Sequence, residues 1–137
     1  MIFVDTRAWI ALTDRSDQHH LDAVAIYTKL KKRRVRFLTT DYIIDETVTR
    51  LRYDVGHRAA VAFLDSLSPA EKASNLRVVR IDETLFASAV SIFRQFDTAV
   101  LSLTDCTSFA VCKAREIDEA FGFDQHFTMT GIALVLP

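Results

Sequence analysis

The sequence predicts an α/β fold, a three-layer α/β/α sandwich around a central, mainly parallel sheet. Three observations lead there. Short apolar runs of strand length recur along the chain, at residues 1–4, 35–39, 77–81, 117–121 and 132–136. Between them lie stretches with apolar residues at helical spacing, and strands separated by helices imply right-handed βαβ units and parallel pairing. Acids also stand where strands end: Asp5 follows the first run directly and Asp124 follows the fourth. In open α/β sheets, ligands collect outside the carboxyl ends of the strands, so these acids are placed where chemistry is done.

Composition narrows the function classes. At 137 residues the chain is long enough to bury one substantial core and short for two ordinary domains. Half of the residues are apolar, so the chain folds rather than remaining disordered. With 17 basic against 18 acidic side chains the formal net charge is −1, and any nucleic-acid binding must come from local clustering. Cys106 and Cys112 are six apart in a helical stretch and fit neither a zinc pattern nor a disulfide framework. They read as small buried hydrophobes in a reducing compartment. No run of 18 apolar residues and no signal-peptide core is present, so the expected location is the cytoplasm, away from membranes. None of the three glycines forms a dinucleotide or P-loop fingerprint.

The elements follow in order. Asp17 is placed to cap a helix over about residues 18–34, with Ala23, Ile26, Tyr27 and Leu30 on one face. Its end carries Lys29, Lys31, Lys32, Arg33, Arg34 and Arg36. These cations suit either a helix C-terminus facing solvent or a phosphate-contacting rim. Thr40 or Asp41 starts the next helix, with Ile44, Val48, Leu51 and Val55 as its core stripe. Glu46 lies off that stripe, one turn before Arg50, where a plain surface ion pair is the bland reading. After Gly56, a helix marked by Ala60, Phe63, Leu64 and Leu67 is expected to end before Pro69, with a polar loop over 69–76. Asp82 caps a helix whose apolar face holds Leu85, Phe86, Ala89, Val90, Phe93 and Phe96. Ser102 and Asp105 form an S-x-x-D capping box for a helix reaching about Arg115.

Asp5, Glu46, Asp105 and Asp124 are thus all expected on one sheet edge. Four carboxylates gathered within a few ångströms need cations to stay ionised together. A hard, oxygen-binding ion, Mg²⁺ or Mn²⁺, is the natural partner, and phosphodiester hydrolysis by metal-activated water is the chemistry such a site serves best. No Ser-His or Cys-His pair competes as a nucleophile. His19, His20 and His57 read as surface residues. His126 lies two residues after Asp124, close enough for a role at the rim, although general frequencies favour a surface or packing histidine.

These residues resemble a known family. Val4-Asp5-Thr6 with Ala8-Trp9, the run Thr39 to Glu46, Leu103-Thr104-Asp105-Cys106 and Phe123-Asp124-Gln125-His126-Phe127 look like the motifs of PIN domains, above all the VapC-type toxins of toxin–antitoxin systems. The resemblance implies a single PIN-like nuclease domain over residues 1–137, acting as a Mg²⁺- or Mn²⁺-dependent endoribonuclease that leaves 5′-phosphate and 3′-hydroxyl ends. It also implies a cognate antitoxin over the acidic groove and frequent homodimerisation. Asp5, Glu46 and Asp105 match the three best-defined metal-holding acids, Asp124 the more variable fourth, and Thr6 the hydroxyl residue that supports the first. Arg7 stands where many members have a small residue. His126 occupies the place of a second acid in the common ending. Arg50, Lys113, Arg115 and the 29–36 cluster are expected to hold the RNA backbone. The alternatives are a non-catalytic PIN-like module that binds RNA or protein, and a metal-dependent phosphatase of another α/β family. Intact acids at all four positions weigh against the first, and the lack of a D-x-D arrangement after strand one against the second.

Overall fold

In the computed structural model, which describes residues 1–137, five strands form one wholly parallel sheet in the order β3-β2-β1-β4-β5. They are β1 (Ile2–Val4), β2 (Phe37–Thr40), β3 (Leu76–Val79), β4 (Glu119–Phe121) and β5 (Ala133–Leu134). Seven helices connect them: α1 (Thr6–Thr13), α2 (His20–Lys32), α3 (Asp41–Asp54), α4 (His57–Lys72), α5 (Glu83–Gln95), α6 (Leu103–Ala114) and α7 (His126–Met129). Side chains alternate across a strand, so each strand feeds two cores. Ile2 and Val4 join Ala23, Ile26, Leu30, Phe63 and Leu67 on one face, whereas Phe3 joins Cys106, Phe109, Val111 and Phe127 on the other. This is the expected three-layer sandwich. Ile2, Phe3 and Val4 are almost wholly buried, and each full burial of such a side chain contributes about 2 kcal/mol.

Local differences from the sequence reading have physical causes. Helix α3 buries Ile43, Thr47 and Leu51, while Ile44 and Val48 are half-buried and Val55 is exposed. Ile43 belongs to one core and Leu51 to the other, so α3 straddles both layers, and a single stripe cannot describe it. Helix α4 continues through Pro69. The turn beyond it closes with Ala73 N–H on the Pro69 carbonyl (3.0 Å) and Asn75 N–H on that of Ala70 (3.0 Å), which delivers the chain directly into β3. The first half of the expected 69–76 loop, residues 69–72, is therefore helix. At α2, His19 is the N-cap residue, and Asp17 instead accepts its backbone N–H at 2.8 Å. On α5 the core-facing residues are Leu85, Ala89, Ile92 and Phe96, leaving Phe86 and Phe93 outward. Both cysteines are buried and unpaired, as expected. No helix is long and apolar enough to cross a membrane.

Candidate active site

From β1 the chain runs to β2 on one side, while from β4 it runs to β5 on the other, so the sheet's topological switch point lies between β1 and β4. The crevice at that point is where open α/β sheets bind ligands, and Asp5 stands at its edge. Its backbone N–H donates to the Phe121 carbonyl (3.0 Å), and its own carbonyl accepts the N–H groups of Ala8 (3.1 Å) and Trp9 (3.2 Å) in the first turn of α1. The indole of Trp9 donates to the Thr39 hydroxyl (3.3 Å), which donates to the Val4 carbonyl (3.1 Å). Sheet, helix and side-chain bonds therefore fix Asp5 in place. Gly122, just after β4, leaves room for its carboxyl: a Cβ there would lie 3.1 Å from the Asp5 Cβ.

The Asp5 carboxyl is buried, and its pKa is raised to about 7. Burial is the main cause; the Thr6 backbone N–H pulls the other way, and the charges of Asp105, Glu46 and Asp124 push it further up. The other three expected acids thus all bear on Asp5. Asp105 lies in the first turn of α6, where its carboxylate accepts the Ser102 N–H (3.0 Å) and its own N–H donates to the Ser102 hydroxyl (3.0 Å). The capping box fixes that side chain and leaves its second oxygen outside the cap. Asp124 is anchored by the backbone N–H of His126 on its Oδ1 (2.9 Å). Glu46 is half-buried on α3.

Two features show that a divalent cation suits these residues. A buried carboxyl facing three others holds its proton up to about neutral pH, and supplied positive charge would release it. Beside it the Thr6 hydroxyl is buried without any hydrogen-bond partner, which costs about 1–3 kcal/mol unless something bonds to it. Oxygen donors of this kind suit Mg²⁺ or Mn²⁺.

The family model described as the PIN domain matches residues 2–132. The chain belongs to the PIN-domain family. Its relatives include the 23S rRNA-specific endonuclease VapC20 of Mycobacterium tuberculosis, 32% identical over 137 residues that span 100% of this chain and 99% of VapC20. A VapC ribonuclease of Archaeoglobus fulgidus is 26% identical over 132 residues, covering 94% of this chain and 80% of its own. Among solved structures, the M. tuberculosis VapC20 crystal structure, described as a Sarcin-Ricin loop cleaving toxin, covers 100% of both chains at 33% identity and a TM-score of 0.87.

The cations of this PIN domain are spread around the molecule. Arg50 lines a cleft of about 110 Å³ with Arg7, Asp17 and His19, on the side of α1 and α3. Lys113 and Arg115 lie elsewhere. They belong to the C-terminal end of α6, about 12–15 Å along the axis from Asp105, and Lys113 lines a cavity with Ile117 and Asp118 before β4. Any contact they make with RNA would therefore be to a stretch of strand beyond the acids. The 29–36 cluster also sits at the opposite sheet edge. There Arg33 pairs with Glu119 (3.1 Å), and Lys29 donates to the Leu136 carbonyl (3.2 Å).

Two residues beside the acids carry more than the sequence reading gives them, His126 as a rim candidate and Gly122 with no role at all. His126 has its Nδ1 2.9 Å from Asp124 Oδ1, and donor atoms of Asp105, Asp124 and His126 lie within 4.8 Å of one another. The two-residue spacing from Asp124 was the available signal. Gly122 gave none, because its service to Asp5 is a contact between strands distant in sequence. Cys112 lies near enough for Asp5 to add to burial in pushing its thiol up to about 12, which makes it a packing residue and no nucleophile.

Proposed function

We propose that this chain, as one nuclease domain over residues 1–137, is the metal-dependent endoribonuclease toxin of a toxin–antitoxin system. The observation that carries the reading is the buried Asp5 carboxyl, driven to a pKa of about 7 partly by Asp105, Glu46 and Asp124. Asp5, Glu46, Asp105 and Asp124 would hold Mg²⁺ or Mn²⁺. When bound, such an ion polarises a phosphoryl oxygen and makes water a competent nucleophile at neutral pH. The protein's own contribution is placement. Asp5 is fixed by the sheet and screened from bulk water, and Asp105 is locked by its capping box. The unpartnered Thr6 hydroxyl is free to orient a donor at Asp5. Arg50, with Arg7 beside it in the cleft on the side of α1 and α3, would hold the RNA backbone without reading sequence.

Whole-length similarity to VapC20 supports an rRNA hairpin, the sarcin–ricin loop of 23S rRNA, as substrate. The partners are a cognate antitoxin, which would cover the acidic groove, and a second copy of the chain. Phe86 and Phe93, 39% and 48% exposed and two turns apart on α5, supply an apolar surface for that dimer. The test is cleavage of rRNA by the purified chain. Cutting should stop in EDTA and return with Mn²⁺ or Mg²⁺, whereas cleavage that persists in EDTA contradicts the proposal.

A further inference from the structure

His126 is the one nitrogen donor grouped with the acids. It opens α7, two residues after Asp124, and its ring returns over that carboxylate, with Nδ1 2.9 Å from Oδ1. A hydrogen bond is the ordinary meaning of such a distance, and the geometry does not allow one. The Nδ1 atom is buried with no aligned partner. The same Oδ1 already accepts the His126 backbone N–H at 2.9 Å, so the backbone itself holds the two groups together. Two donor atoms brought this close without an aligned hydrogen bond between them are placed like neighbouring ligands of one ion. In an octahedron with bonds of about 2.1 Å, adjacent donors stand about 3 Å apart. Asp105 offers a further oxygen within the same 4.8 Å group.

Resting on the reading of Asp105 and Asp124 as metal-holding residues, we propose that His126 is itself a ligand of the divalent ion and biases the site towards Mn²⁺ over Mg²⁺. The bias follows from ligand chemistry. Mg²⁺ is a hard ion that favours oxygen and retains its water, whereas transition ions bind the softer imidazole nitrogen more readily. An all-carboxylate set gives no such preference. With His126 in the set, exchanging one ion for the other changes the strength of a bond the protein makes.

The experiment is pulsed electron paramagnetic resonance on the full chain loaded with Mn²⁺, together with calorimetric titration of each ion. Wild type and His57→Gln should show ¹⁴N modulation from a directly bound imidazole. His126→Gln should lose it, and its Mn²⁺ affinity should fall about tenfold while Mg²⁺ affinity stays within about threefold. His126→Asp should bind both ions without the nitrogen signal. The side chain is 35% exposed, so these variants keep the fold. Bound Mn²⁺ without nitrogen coupling, or coupling that survives in His126→Gln, overturns the inference and leaves the nuclease reading intact. Failure of wild type to bind Mn²⁺ overturns both.

Discussion

Gly122 packs directly against the side chain of Asp5, so that a Cβ on residue 122 would stand 3.1 Å from the Asp5 Cβ and 3.6 Å from its Oδ2. Ordinary Cβ contacts are longer, and the Asp5 backbone is held by its sheet bond to Phe121 and by the first turn of α1, so the carboxyl rather than the backbone must give. Gly122→Ala should therefore lower cleavage at least about tenfold, since small misplacements of a reacting group cost heavily. Destabilisation should stay near 1–2 kcal/mol, the usual scale of overpacking. Turnover measured beside urea unfolding separates the two effects.

Asp5 predicts an inverted relation between stability and activity. Its folded pKa of about 7 lies above the ordinary 3.8, so the folded state binds the proton more tightly than the unfolded state does. Stability of the metal-free protein attributable to Asp5 is fully present below about pH 4 and declines as pH rises towards 7. Asp5→Asn removes the charge. In EDTA at pH 8 it should unfold at higher urea, by up to about 4 kcal/mol, and the gain should vanish near pH 4. Denaturation curves at both pH values check this.

The Ser102–Asp105 capping box separates structural from chemical work in one residue. Ser102→Ala should cost about 1 kcal/mol and leave most of the turnover, because the Ser102 backbone N–H still holds the Asp105 carboxylate. Asp105→Asn keeps an acceptor for that N–H and should melt close to wild type, yet cut RNA at least about 100-fold more slowly. Thermal melts paired with initial rates distinguish them.

Charge placement gives a separate test. Arg50→Ala should raise KM about fivefold and flatten its salt dependence, as loss of one phosphate contact does. Lys113→Ala and Arg115→Ala, at the far end of α6, should leave both unchanged. Steady-state cleavage at two salt concentrations reads the difference.

Much of this was legible in the sequence, because strand runs followed by acids carry both the fold and the site. β1 with Asp5, the Asp82 cap and the Ser102–Asp105 box are local signals, and each stands as read. What escaped depended on distant contacts. The face of α3 is set by its position across two layers, and α4 runs on through Pro69 to Lys72 before the chain turns into β3. The outward turn of Phe86 and Phe93 follows from how α5 lies on α6, which periodicity alone does not give. How far Lys113 and Arg115 stand from Asp105 is likewise set by the length of α6, which puts them at its other end.

The central claim is that the four acids exist to hold a cation for RNA cleavage and that Asp5 is strained until one arrives. The most direct measurement compares wild type with Asp5→Asn on sarcin–ricin loop RNA in Mn²⁺, with unfolding curves taken on the same preparations. The account predicts a variant that is more stable without metal and fails to cut. Cleavage by Asp5→Asn at the wild-type rate would contradict it.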